Sequence, residues 1–198
     1  MTLTELISGV YELTGRPDLI AETKSAIKNA TLFGHQRDFF FKDLVEVGLA
    51  FDSAEYVQTL NVREVIPLWR AHKYFKKYDP TQSPPVIGCW LTKVVPENVL
   101  DDYKSQKQDI WYVAGQQINI NSSTQQQYYL IGYYSNPDLS DTGYNSWIAL
   151  DHPYYLIHRA SAQIFKQIGK DEEAAQQRVI LAEQEANLIR NNIDGQGY

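Results

Sequence analysis

The chain has 198 residues, of which 43% are hydrophobic and 21% charged, a composition that argues against disorder and allows one sizeable core or a core with an added lobe. Its net charge of −6 argues against a dedicated nucleic-acid binder, because phosphate neutralisation needs clustered Lys and Arg. Cys89 is the single cysteine, so no intramolecular disulfide can form, and no apolar run approaches the roughly 18 residues of a membrane-spanning helix.

Two helices are predicted at the start of the chain. Thr2 and Glu5 match the capping box, and the apolar residues that follow them recur with helical spacing until Gly15. A second helix is predicted to begin near Pro17, because proline is tolerated in the first helical turn, and to end before Asp38. Each helix has one apolar face.

The middle of the chain has the alternating pattern of β-strands. Residues 45–51 and 56–60 are predicted to form a hairpin around a turn at 52–54. Further strands are predicted at 68–75, 86–95, 110–114, 117–121 and 127–134, with a loop at 121–124 and a short helix from Pro96 to about Tyr103. The basic cluster at 72–78 is expected to be a solvated strand face or strand end.

A helical hairpin is predicted at the end of the chain, over 153–168 and 171–191. The second helix carries a seam of mostly small residues with steps that alternate between four and three, which is typical of a helix packed closely against another helix. This helix-packing seam consists of Ala175, Val179, Ala182, Ala186 and Ile189, and it continues to Ile193.

These elements predict an α+β protein. Neither terminal pair of helices can bury its apolar face alone, so we expect one helical bundle built from N- and C-terminal helices. In this interpretation residues 1–41 and 146–198 form the bundle with a C-terminal arm, and residues 42–145 form an inserted β-rich lobe.

The sequence contains no recognisable catalytic or metal-binding motif. The four histidines and Cys89 lack metal-ligand spacing, and neither a phosphate-binding glycine loop nor a nucleophilic serine elbow occurs. We therefore expect no metal, no cofactor and no enzymatic activity, although dispersed catalytic residues would escape this search. The aromatic strand residues leave an alternative open, a carbohydrate-binding or receptor-binding module that uses Trp111, Tyr128 and Tyr133 as a partner surface.

Several short motifs follow one another in a characteristic order. A short helix, a helix that ends near residues 38–40 and a β-hairpin come first. They are followed by Tyr103, Asp109-Ile110-Trp111-Tyr112-Val113-Ala114-Gly115, Ile131-Gly132-Tyr133-Tyr134-x-x-Pro137, Trp147-Ile148 with Pro153, Ala160-x-Ala162-x-x-Phe165-x-x-x-Gly169 and Leu188-Ile189-x-x-Asn192-Ile193. In this order the chain resembles the head-to-tail adaptor, or head completion, proteins of tailed bacteriophages, mainly those with short tails. The resemblance spans nearly the whole chain.

The resemblance implies a structural virion protein of the neck, assembled in the host bacterial cytoplasm. It implies a homo-oligomeric ring, usually of twelve copies, that docks beneath the portal protein and extends the DNA channel. The ring provides the attachment platform for a tail or nozzle protein, and DNA passes through it without sequence-specific binding or any membrane. It also implies a portal-binding arm at the end of the chain, made of Asn191, Asn192, Ile193, Asp194, Gly195, Gln196, Gly197 and Tyr198.

Overall fold

A computed structural model describes residues 1–100 and 108–194. The chain divides into two compact units, a helical unit of Met1–Asp43 with Asn136–Tyr198, and a barrel unit of Leu44–Ser135. Among the described helices, none is long and apolar enough to cross a membrane.

The first two helices form as their local signals predict. Helix α1 spans Leu3–Thr14, and its capping box is confirmed: the Glu5 backbone N–H donates to Thr2 Oγ1 over 3.3 Å, and the Thr2 N–H donates to Glu5 Oε2 over 2.8 Å. Gly15 ends this helix with a φ of 64°, a left-handed conformation that favours glycine. Helix α2 spans Ile20–Gln36 and begins slightly later than predicted.

The helices after α2 are divided between the two units. The short helices α3 (Val62–Val65) and α4 (Pro96–Leu100) belong to the barrel unit. Helices α5 (Trp147–Asp151), α6 (Pro153–Gln167) and α7 (Asp171–Asp194) belong to the helical unit. Helix α6 packs against α1, α2 and α7, so it lies at the centre of the helical unit. The shared core contains Leu6, Val10, Ile27, Leu156, Ile164 and Leu188.

Five strands form one sheet in the barrel unit: β1 (Leu44–Asn61), β2 (Trp69–Asp79), β3 (Val86–Lys93), β4 (Ile110–Ala114) and β5 (Gln117–Ser135). Strand β5 pairs antiparallel with β1, β2 and β4. Because β2 pairs with β3 and β3 pairs with β4, strands β2 to β5 close into a four-stranded barrel, and β1 is an additional strand on β5. The barrel interior holds Phe75, Trp111, Ile118, Ile120, Tyr129 and Ile131.

The predicted fold class is wrong in its topology. The chain is α+β, but it contains a closed four-stranded barrel with an extra strand, together with helices, and this is not the predicted helical bundle with an inserted β-rich lobe. The predicted turn at 52–54 lies within β1, and the predicted loop at 121–124 lies within β5. Both coincide with register shifts between these strands, so their polar residues occupy bulges that bend the strands instead of ending them. The uninterrupted β5 is then long enough to pair with β2 and β4 and close the barrel.

Candidate functional site

Helix α7 buries a single row of side chains within the chain. Ala174, Leu181 and Leu188 are buried at 1%, 8% and 0% exposure, and their spacing of seven keeps them on one face. This face meets α6, the helix on which α7 packs most closely. The intrachain contact of α7 therefore uses positions other than the predicted seam.

The predicted helix-packing seam lies on a second, outward face of α7. Ala175, Val179, Ala182 and Ala186 are exposed, Val179 at 75%, whereas Ile189 is half-buried. We call these five residues the exposed row. It is displaced by about 100° around the helix from the row that meets α6, because each residue turns an α-helix by that angle. The exposed row is thus available to another polypeptide.

The predicted portal-binding arm is described only in part. Asn191 to Asp194 continue α7 as regular helix. The described part of the structure does not include the side chains of these four residues, nor any part of Gly195, Gln196, Gly197 and Tyr198. Tyr103, one of the motif residues that carry the resemblance, also lies outside it.

A groove between α6 and α7 lies beside the exposed row. It encloses about 390 Å³ and is lined by Arg159, Ala162, Gln163, Lys166, Arg178 and Leu181; we call it the basic groove. Arg159 Nη1 donates to Glu185 Oε1 over 2.9 Å, and its guanidinium lies 3.6 Å from the centre of the Phe33 ring. The apolar floor and cationic rim suit an acidic partner that also presents an apolar side chain.

The three aromatic residues proposed as a partner surface are not equally accessible. Trp111 is 1% exposed and packs inside the barrel, with ring centres 4.6 Å from His72 and 4.9 Å from Phe75. Tyr128 and Tyr133 are half-buried, and burial raises the pKa of Tyr133 above its usual value. In this structure Trp111 cannot stack against an external ligand.

His72 is held in an apolar setting beside this tryptophan. Its ring stacks on Trp69 with centres 5.8 Å apart. Burial, reinforced by the nearby positive charge of Lys93, lowers the pKa of His72 to about 4. His72 is therefore a neutral packing residue at neutral pH.

A different tryptophan forms the exposed aromatic cluster. Trp90 is 60% exposed, its ring centre lies 4.8 Å from that of Tyr74, and Lys76 Nζ lies 4.5 Å above it. Tyr74 donates its hydroxyl to Glu46 over 2.6 Å, which together with Lys76 lowers the pKa of that carboxyl. The sequence analysis missed this cluster, because the only signal was the basic stretch at 72–78 and the pairing of Lys76 with Trp90 depends on strand register.

A buried hydrogen-bonded network was also missed. His35 Nδ1 lies 2.7 Å from Asp43 Oδ1, His35 Nε2 lies 2.9 Å from Ser146 Oγ, and Trp147 Nε1 donates to Asp43 over 2.8 Å. The order of serine, histidine and aspartate matches that of a nucleophile, a base and an orienting acid. However, Ser146 is 5% exposed and its hydroxyl also caps α5, so the network closes off the hydroxyl from a substrate and joins the end of α2 to the start of α5.

Within the described residues, no group of three or more His, Cys, Asp or Glu side chains is arranged to hold a metal ion. Compared with models of known protein families and with curated proteins, the chain matches neither a family nor an individual protein.

Proposed function

We propose that the protein is a structural virion component of a tailed bacteriophage, a head-to-tail adaptor. Copies of it form a ring beneath the portal, extend the DNA channel and provide the platform for a tail or nozzle protein. The ordered motifs that resemble this family support the proposal. In this role the chain acts by assembly in the virion neck, without catalysis, and the resemblance implies a ring of twelve copies.

The exposed row of α7 carries the proposal. Apart from the half-buried Ile189 its residues are exposed, Val179 at 75%, so most of this apolar face is left uncovered within the described chain. In an assembly the same face would be removed from water, with a gain of about 25 cal/mol for each Å² of apolar surface. The alanines at 175, 182 and 186 would let a second helix approach closely.

The charge of the chain is compatible with a channel through which DNA moves. A protein with a net charge of −6 repels phosphates instead of binding them in register. DNA would then pass without sequence-specific contacts, as the proposed role requires.

A carbohydrate-binding role has less support. Its central residue, Trp111, is packed inside the barrel, so stacking on a sugar would require the barrel to open. Binding on a glycan array that is lost in Trp111→Ala and retained in Trp90→Ala would favour this role over the adaptor.

Docking to portal particles from the same phage genome tests the proposal. Val179→Glu places a charge in the exposed row, and we expect it to abolish co-sedimentation with the portal while leaving the circular dichroism spectrum unchanged. Gln176→Glu is the matched control, because it adds the same charge at an exposed position outside the exposed row, about 60° around α7 from Val179. Deletion of residues 193–198 is also expected to abolish docking. Unchanged docking by both the deletion and Val179→Glu would contradict the proposal.

A further inference from the structure

The helical unit carries a second charged surface where α1 connects to α2. Leu13 and Ile20 are 41% and 55% exposed, and two exposed glutamates accompany them: Glu12 directly precedes Leu13, and Glu22 lies two residues after Ile20. Neither carboxylate has a basic partner within the described residues. We call Glu12, Leu13, Ile20 and Glu22 the acidic patch. It combines apolar side chains with negative charge, so it has the chemistry that suits the basic groove.

The basic groove has the opposite character. Lys166 and Arg178 are exposed at its rim, and neither pairs with a carboxylate in the described parts of the chain. Ala162 and Leu181 provide an apolar floor, at 6% and 8% exposure. Unpaired cations around an apolar hollow favour an acidic partner with projecting aliphatic side chains.

The two surfaces lie on different sides of α6. Over the described residues, α1 and α7 each pack closely on α6 but not on each other. The basic groove is formed by α6 and α7, whereas the acidic patch is formed by α1 and α2. One copy therefore cannot bring these two surfaces together by itself, but two copies can.

The α1 part of the acidic patch lies at the level of the basic groove along α6. The Met1 amino group donates to the carbonyl of Ala149 in α5 over 2.7 Å, a separation of 148 residues, and a Cβ at Gly9 would lie 2.8 Å from Cδ1 of Ile157 in α6, the same separation. Helix α1 therefore runs in the direction of the chain from α5 into α6, and it packs on α6 at Gly9. The same separation places Glu12 and Leu13 level with residues 160 and 161, between the groove residues of α6.

We propose that the acidic patch of one copy docks in the basic groove of the next copy. The proposal rests on the adaptor function and names the surfaces by which its ring would form. A contact between two different surfaces is heterologous, and it produces a closed ring when each copy is related to the next by rotation alone. If the rotation axis is parallel to α6, two surfaces at the same level along this helix can meet without any translation along the axis.

Cross-linking between two engineered cysteines tests the contact. In a Cys89→Ser background, which removes the exposed native thiol, Ala21→Cys and Gln167→Cys are combined in one chain, because both positions are exposed and adjoin the two surfaces without removing a residue of either. A short bismaleimide is added to the concentrated protein, alone and with portal particles. We expect a ladder of dimers, trimers and larger species, because every copy then links to two neighbours. Each single-cysteine variant should remain monomeric, since a heterologous contact never brings two copies of one surface together.

Two results would overturn the inference. Dimers from either single-cysteine variant would indicate a symmetric contact instead. Monomers alone from the double variant, in both conditions, would exclude the proposed surfaces. If that variant still co-sediments with the portal, the adaptor function survives without this contact; if it forms the ladder but ignores the portal, the contact survives without the adaptor function.

Charge reversal provides an independent measurement. Lys166→Glu with Arg178→Glu, or Glu12→Lys with Glu22→Lys, should each weaken self-association roughly tenfold, as expected for two exposed ion pairs lost. Combining all four substitutions should restore association, since the charges are then complementary again. Failure of this rescue, when each pair alone weakens association, would contradict the pairing of these surfaces.

Discussion

Three residues that lie side by side on neighbouring strands of the barrel unit allow a direct test of how tightly one face of the sheet is packed. Glu46, Gly132 and Tyr74 are direct neighbours on β1, β5 and β2. The Tyr74 ring lies across Gly132 and reaches Glu46 with its hydroxyl. A Cβ at position 132 would lie 2.6 Å from Tyr74 Cε2 and closer still to Cζ and Cε1, so Gly132→Ala must displace the ring.

The expected cost follows from these contacts. Overpacking of this kind costs about 1–3 kcal/mol. Displacing the ring also removes the hydrogen bond from Tyr74 to Glu46, worth about 0.5–1.5 kcal/mol. Replacing a glycine within a strand by alanine stabilises the folded state by about 0.5–1 kcal/mol, because the unfolded chain then has less conformational entropy to lose. We therefore expect Gly132→Ala to lower the free energy of unfolding by about 2 kcal/mol.

Chemical denaturation followed by tryptophan fluorescence measures this change, because three of the four tryptophans lie in the barrel unit. Gly48→Ala is the matched control: its Cβ would meet Tyr78 Cε1 at an ordinary 3.7 Å, so no loss is expected. In a Tyr74→Ala background the obstructing ring is gone, and Gly132→Ala should then be neutral or stabilising. An equal loss of stability in both backgrounds would refute the steric explanation.

Two further predictions concern a buried helix contact and a titrating side chain. Gly34→Ala would place a Cβ 2.9 Å from Cε1 of the fully buried Tyr155, so the helical unit should lose about 1–3 kcal/mol of stability, measurable by thermal or urea denaturation; an unchanged midpoint would contradict the close approach of α2 and α6. His72, with its pKa lowered to about 4, stays neutral in the folded state while the unfolded side chain takes up a proton below about 6.5. The unfolding free energy should therefore fall as pH drops from 6.5 to 4, and His72→Phe should remove this part of the slope while keeping an aromatic ring. An unaltered slope in that variant would assign the effect to another group.

Some long-range features of the site were beyond sequence reasoning. His35 meets Ser146 across 111 residues, and no local pattern connects a helix end with a distant helix cap. Likewise, Trp111 and Trp90 both belong to strands of alternating pattern. Alternation distinguishes the two faces of a strand but does not indicate which face points into a closed barrel. For this reason the buried Trp111, and not the exposed Trp90, was predicted to belong to a partner surface.

The sequence by itself determined the features that depend on neighbouring residues. The capping box at Thr2 and Glu5, the end of α1 at Gly15 and the change from helical to alternating periodicity all involve groups within a few residues of each other. Tertiary structure decided the rest. The turn-like residues of β1 and β5 became bulges only because other strands paired alongside them, and α7 carries two apolar rows of similar period. Which row is buried depends on where α6 lies, and a helix's own sequence does not contain the position of its neighbour.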